Sequence, residues 1–137
     1  NIDHVVVAPS GVYCIETKCR SKRKGTAGQR EHEIIFDGEQ LHYPHGTDSY
    51  GVQQTLRNSE ELARWLSSAV GERIAVKGIL TFPGWYVTTR KMAKNLRVLN
   101  PQQIQAAIAS DKEQVLDAKL TKRIVHQLEE RCRNVQM

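Results

Sequence analysis

Residues 2–18 read IDHVVVAPSGVYCIETK, and the fold turns on how this stretch is divided. Val5-Val6-Val7 is one β-branched run and Val12-Tyr13-Cys14-Ile15 is a second, with turn punctuation, Pro9-Ser10-Gly11, between them. The stretch predicts a β-hairpin with strands over residues 2–8 and 12–18. Side chains alternate along a strand, so Glu16 and Lys18 project from one face, and Cys14 shares it. Whether Asp3 joins them depends on loop parity. A two-residue loop at Ser10-Gly11 sets Asp3 opposite Lys18, and a four-residue loop from Ala8 to Gly11 sets it opposite Glu16. A three-residue loop would set it opposite Thr17, on the wrong face, so the reading requires an even loop or a bulge.

Outward from the hairpin, residues 19–30 (CRSKRKGTAGQR) turn polar and basic, as an exposed loop does. EHEIIF and EQLHYP then flank Asp37-Gly38, a dipeptide suited to a type I′ turn, giving a second hairpin. After a loop from Gly46 to Gly51, Val52, Leu56, Ala63, Leu66 and Val70 recur at helical spacing, which predicts a helix over 51–69. Residues 74–82 (IAVKGILTF), closed by Pro83-Gly84, read as a buried strand, and residues 96–99 as a short one. Asn100-Pro101 is an N-cap with proline at the first helical position, opening a helix of about two turns. Leu116, Leu120, Ile124 and Leu128 mark a last amphipathic helix over 111–132. This order predicts an α/β domain with a mixed β-sheet core flanked by helices.

Composition narrows the classes. At 137 residues the chain fits one compact domain. Twenty Lys and Arg against fifteen Asp and Glu give a formal charge of +5, compatible with a polyanionic partner. No apolar run approaches the roughly 18 residues of a membrane span, so no membrane partner is expected. Three cysteines, with a C-x4-C spacing that is no zinc signature, suggest a reducing, cytoplasmic setting. The chain opens on Asn1 with no leader pattern and reads as a piece of something longer.

The chemistry lies on the first hairpin. Phosphodiester hydrolysis needs a divalent cation held by carboxylates, which polarises the phosphoryl group and lowers the pKa of water, and a positive group near that water. Glu16 and Lys18 supply one of each, and Asp3 a second carboxylate; Mg²⁺, a hard cation that retains waters, suits such a pair. An isolated E-x-K on a strand, by contrast, is an ordinary surface ion pair. His42 and His45 lack the further ligands a metal site needs. Gln53 and Gln54 read as helix surface unless the helix N-terminus faces the site. Trp85-Tyr86 reads as core or edge packing, with base stacking beside Arg90, Lys91 and Lys94 as the alternative.

The string Asn1-Ile2-Asp3-His4-Val5-Val6-Val7, Gly11-Val12-Tyr13 and Ile15-Glu16-Thr17-Lys18 resembles the signature of the nuclease-related domain (NERD) family, assigned to the restriction-endonuclease-like PD-(D/E)xK superfamily. The likeness continues through Phe36-Asp37-Gly38-Glu39 and Leu41, a helix with Gln54, Asn58 and Leu62, and Ile79-Leu80-Thr81-Phe82-Pro83, covering residues 1–108. The resemblance implies a metal-dependent hydrolase that binds Mg²⁺, with Mn²⁺ as a substitute, and cleaves DNA, RNA being an open alternative. It makes Asp3 and Glu16 metal ligands, lets Thr17 offer its backbone carbonyl, and has Lys18 orient or activate the water. Gln54 matches the glutamine that opens the family's helix, with Gln53 the adjacent alternative. The family's N-terminal helix and strand are not in this sequence, and residues 109–137 are expected as a C-terminal amphipathic helix packing on the same domain.

Arg20, Lys22, Arg23, Lys24 and Arg30 follow Lys18 within a dozen residues and are expected to grip the phosphate backbone. A non-cleaving nucleic-acid-binding module of a larger DNA-processing protein is the alternative function. A protein-interaction domain using the last helix is a third. A fused or neighbouring DNA-processing domain and a homodimer are both compatible with the sequence.

Overall fold

A computed structural model of the chain describes residues 2–20 and 32–136, the last three of these by backbone alone. Among the described residues eight strands form two four-stranded sheets. The first sheet contains β1 (His4–Ala8), β2 (Gly11–Thr17), β6 (Val76–Thr81) and β8 (Leu96–Leu99), in the order β1-β2-β6-β8. Only β1 and β2 run antiparallel; β2, β6 and β8 are mutually parallel. The second sheet, in the order β5-β4-β3-β7, contains β3 (Glu33–Phe36), β4 (Leu41–Tyr43), β5 (Gly46–Asp48) and β7 (Tyr86–Thr89). It is antiparallel apart from the β3–β7 pair. Both sheets are thus mixed, and with three helices they give the expected α/β class.

A parallel pair needs a crossover, and α1 (Tyr50–Val70) supplies it between β2 and β6. Gly51, Val52, Thr55, Asn58, Ser59, Leu62, Leu66 and Val70 make its buried stripe, at the spacing read from the sequence. Gly71 ends it in the left-handed conformation at φ 78°, its N–H bonded to the Ser67 carbonyl. A β-carbon on Gly78 of β6 would lie 2.9 Å from Thr55 Cγ2 and 3.0 Å from Ser59 Oγ, so the backbone of β6 lies close against α1. One on Gly51 would lie 3.2 Å from Leu80. Since Gly51 meets Leu80, and Thr55 and Ser59 meet Gly78, α1 runs antiparallel to β6 and starts at the carboxyl ends of the parallel strands.

The other face of the first sheet carries Tyr13, Ile15 and Ile79, packed against Ile104 and Ile108 of α2 (Ile104–Ser110). Central strand β2 therefore has helices on both sides and is buried from Gly11 to Glu16, which is why it reads as a nearly continuous apolar run. Leu120, Ile124 and Leu128 of α3 (Ala118–Gln136) close a further cluster with Val12, Cys14, Leu62 and Leu66. Asn100 is the N-cap its sequence predicts; it opens a 3-10 turn, Pro101–Gln103, accepting from the Gln102 amide, and the Gln103 side chain completes a capping box.

Four expectations change. Residues 111–117 are not helical, because Asp111 is bound to Tyr13 and Arg97 and the amides of Val115 and Leu116 both donate to the Pro9 carbonyl. The second hairpin turns over four residues, with Phe36 paired to Leu41, and not over Asp37-Gly38 alone. There the Asp37 carboxylate accepts from the amides of Glu39 and Gln40, which fixes the wider turn. The segment read as a loop from Gly46 holds β5, paired with β4, and β7 is a further strand within the basic Trp85 to Lys94 stretch. No helix among the described residues is long and apolar enough to cross a membrane.

Candidate active site

The first hairpin has even parity. His4 pairs with Ile15 and Ala8 with Gly11, leaving Pro9-Ser10 as the two turn residues, and one step back along that register Asp3 stands opposite Glu16. Asp3 is just beyond the end of β1 and is exposed; its Oδ2 accepts from the Thr17 amide at 2.9 Å. The next amide, that of Lys18, donates to the Thr81 carbonyl at 2.9 Å, so the last residues of β2 are bonded alternately to Asp3 and to β6.

Glu16 is 2% exposed, and the other buried polar residues described (Ser10, Thr55, Asn58, Ser59, Thr81) are all uncharged. Burying a carboxyl group is costly without compensation. Its Oε1 accepts from Asn58 Nδ2 on α1 at 3.0 Å, while the Cys14 thiol is a weak donor at 4.0 Å. Among the described residues no Lys, Arg or His pairs with it. Burial also pushes the Cys14 thiol up to about 11, an inert position for a nucleophile.

Gln54 precedes Asn58 by one helical turn and so occupies the same side of α1, nearer the carboxyl ends of the strands. Its Oε1 is buried and has no hydrogen-bond partner among the described residues. Gln53 is exposed, and its side chain donates to Ser49 Oγ at the helix start. Lys18 Nζ stands 5.5 Å from the ring centroid of Tyr50, the first residue of α1. Asp3, Glu16, Thr17, Lys18 and Gln54 therefore gather around the carboxyl end of β2 and the amino-terminal turns of α1, a common location of ligand sites in α/β folds. Among the described residues no cluster of three or more His, Cys, Asp or Glu side chains could hold a metal ion. Two carboxyl groups and an unpartnered amide oxygen nevertheless fit a hard divalent cation, since Mg²⁺ is held through one or two carboxylates together with waters and phosphate oxygens.

Of the basic segment, Arg20 is described, and Lys22, Arg23, Lys24 and Arg30 lie outside the described residues. The Arg20 guanidinium sits 3.6 Å over the Tyr43 ring and 3.5 Å from Asp48, and its carbonyl accepts from Trp85 Nε1 at 3.3 Å. These contacts tie Arg20 to the second sheet, beside the start of α1. Trp85, 2% exposed, is core, edge-on to Tyr43. His42 has both ring nitrogens engaged, Nε2 with Asp37 at 2.6 Å and Nδ1 with Thr47 at 3.2 Å. The contact that residue-by-residue reading missed is Asn58 on Glu16. Its signal was an amide on the apolar stripe of α1, four residues from Gln54.

The mixed α/β fold is consistent with a restriction-endonuclease-like core. The sequence profile of the nuclease-related domain family (NERD) matches residues 1–83, which carry both hairpins, α1 and β6, and the chain belongs to that family, a member of the PD-(D/E)xK superfamily. No curated protein and no solved structure matches the chain.

Proposed function

We propose that the chain is the catalytic domain of a Mg²⁺-dependent deoxyribonuclease. The observation that carries this reading is Glu16: a single charged side chain buried in the described structure, at the carboxyl end of the central strand, with an amide and no cation beside it. A fold that leaves such a group without a counter-charge leaves room for a cation. Asp3, Glu16 and the Thr17 carbonyl would hold the metal, which when bound polarises the phosphoryl group and acidifies water. Asn58 keeps Glu16 in one orientation, and Gln54 offers a further oxygen. Lys18 brings positive charge to the attacking water and the scissile phosphate. The segment with Lys22, Arg23, Lys24 and Arg30 grips the flanking backbone, an attraction without sequence preference.

The test is cleavage of plasmid and linear DNA in Mg²⁺ or Mn²⁺ against EDTA, for the chain, Glu16→Gln and Lys18→Ala. Metal-dependent cutting reduced at least about a hundredfold in both variants is expected, the scale of removing one electrostatic contribution to the transition state. Cutting unchanged by either substitution would overturn the assignment. A second reading, a module that binds nucleic acid without cutting it, draws on Asp3, whose exposed carboxylate is already bonded to the Thr17 amide. DNA binding without turnover in any divalent metal would select it.

A further inference from the structure

Tyr50 is 66% exposed, as Tyr86 of β7 is at 61%, whereas Tyr13 and Tyr43 are 2% and 8% exposed within the core. A single exposed aromatic is ordinary on a protein surface; the surroundings of this one are not. It is the first residue of α1, on the residue that follows Ser49, and its ring carries the Lys18 ammonium 5.5 Å from its centroid. Lys18 comes two residues after Glu16, and its backbone is tied to β6 through Thr81. The ring is thus joined directly to the end of the candidate catalytic strand. The first turn of α1 holds no acidic residue. The acid that precedes it, Asp48, is paired with Arg20, so the first turn of α1 adds no unpaired carboxylate of its own to those of Asp3 and Glu16.

We propose that Tyr50 is a stacking platform for an unpaired nucleobase, next to the phosphate that Lys18 engages, so that the preferred substrate is single-stranded or frayed DNA. The proposal rests on the nuclease reading and adds its substrate class. An exposed ring offers a π-face to any base, and stacking of this kind is indifferent to sequence. A base in a closed duplex is stacked between its neighbours and offers no free face, so the platform discriminates by strand state. The Lys18 ammonium and the ring also attract one another, as cations over tyrosine do, which holds the two groups side by side.

The measurement is equilibrium binding of a fluorescent single-stranded oligonucleotide and of the matching duplex, in EDTA, to the full chain carrying Glu16→Gln. Tyr50→Ala and Tyr50→Phe are compared on that background, with a fluorescent base analogue in the strand reporting stacking. Tyr50→Ala is expected to weaken single-strand binding roughly 5- to 100-fold, the usual range for loss of one aromatic base contact. Tyr50→Phe keeps the ring and should stay within about twofold, and duplex binding should change little in either. Quenching of the base analogue should be lost only in Tyr50→Ala. Equal single-strand binding by Tyr50→Ala, or parallel loss on duplex and single strand, overturns the platform. A chain that cuts DNA normally with Tyr50→Ala loses the platform and keeps the nuclease. One that binds single strands through Tyr50 and never cuts loses the nuclease alone, and one that binds neither strand form loses both.

Discussion

Asn58 donates to Glu16 from the adjacent helix, and its removal separates orientation of the carboxyl group from its presence. On the proposed function, Asn58→Ala should lower metal affinity or cleavage by about 10- to 100-fold, the usual cost of losing a partner behind a metal ligand. A Mn²⁺ titration of cleavage rate reads this, and an unchanged midpoint and rate would make the contact purely structural. Asp37 tests a different carboxylate, away from the site. The Gln40 amide, then His42 and the Glu39 amide, hold it at about 2, below the ordinary value of about 3.9. A group whose folded pKa is depressed contributes stability above its unfolded pKa and loses it as pH falls toward the folded one. Asp37→Ala should therefore lower Tm at neutral pH, with the gap from the unsubstituted chain narrowing between about pH 4 and pH 2. Thermal melts across that range decide it, and a gap independent of pH would reject the assignment.

Elements were legible where one periodicity ruled. The α1 stripe and the apolar residues of β2 and β6 follow directly from burial on one side or on both. They were illegible where a single side chain or a distant partner decides. Asp37 widens its turn through two amides that no pattern announces. β7 exists because β3 accepts it in parallel, although most of its residues are exposed and no alternation marks it. Residues 111–117 have helical composition but are bound at both ends to β2 and its turn. The fit of α1 on β6 gives a prediction at this scale: Gly78→Ala forces contacts at 2.9–3.2 Å with Thr55, Ser59 and Leu96. Overpacking of this kind costs about 1–3 kcal/mol, several degrees of Tm. At Gly46 nothing lies within 4 Å of an added β-carbon, and Gly46→Ala should stay within about 0.5 kcal/mol, the range of neutral surface changes. Equal melting of the two variants would contradict the close approach.

Across the whole molecule, a formal charge of +5 bears on affinity more than on fold. If the basic segment grips phosphates, replacing Lys22, Arg23 and Lys24 by Gln should reduce the slope of log affinity for duplex DNA against log salt by roughly 3. An unchanged slope would place the contacts elsewhere. The sequence brings Asp3, Glu16, Thr17 and Lys18 within 16 residues on one hairpin, so their convergence at the end of β2 could be read from strand parity. How they are supported could not be, since the Asn58 contact with Glu16 and the Tyr50 contact with Lys18 arise from packing of α1 on the first sheet. The bond from Pro9 to Val115 and Leu116 has a consequence for slow motion. It ties the turn of the first hairpin to the stretch leading into α3. These amides cannot exchange with solvent deuterium unless that tie opens. Their protection then reports whether the two ends of the chain open together as one cooperative unit or the last helix peels away first.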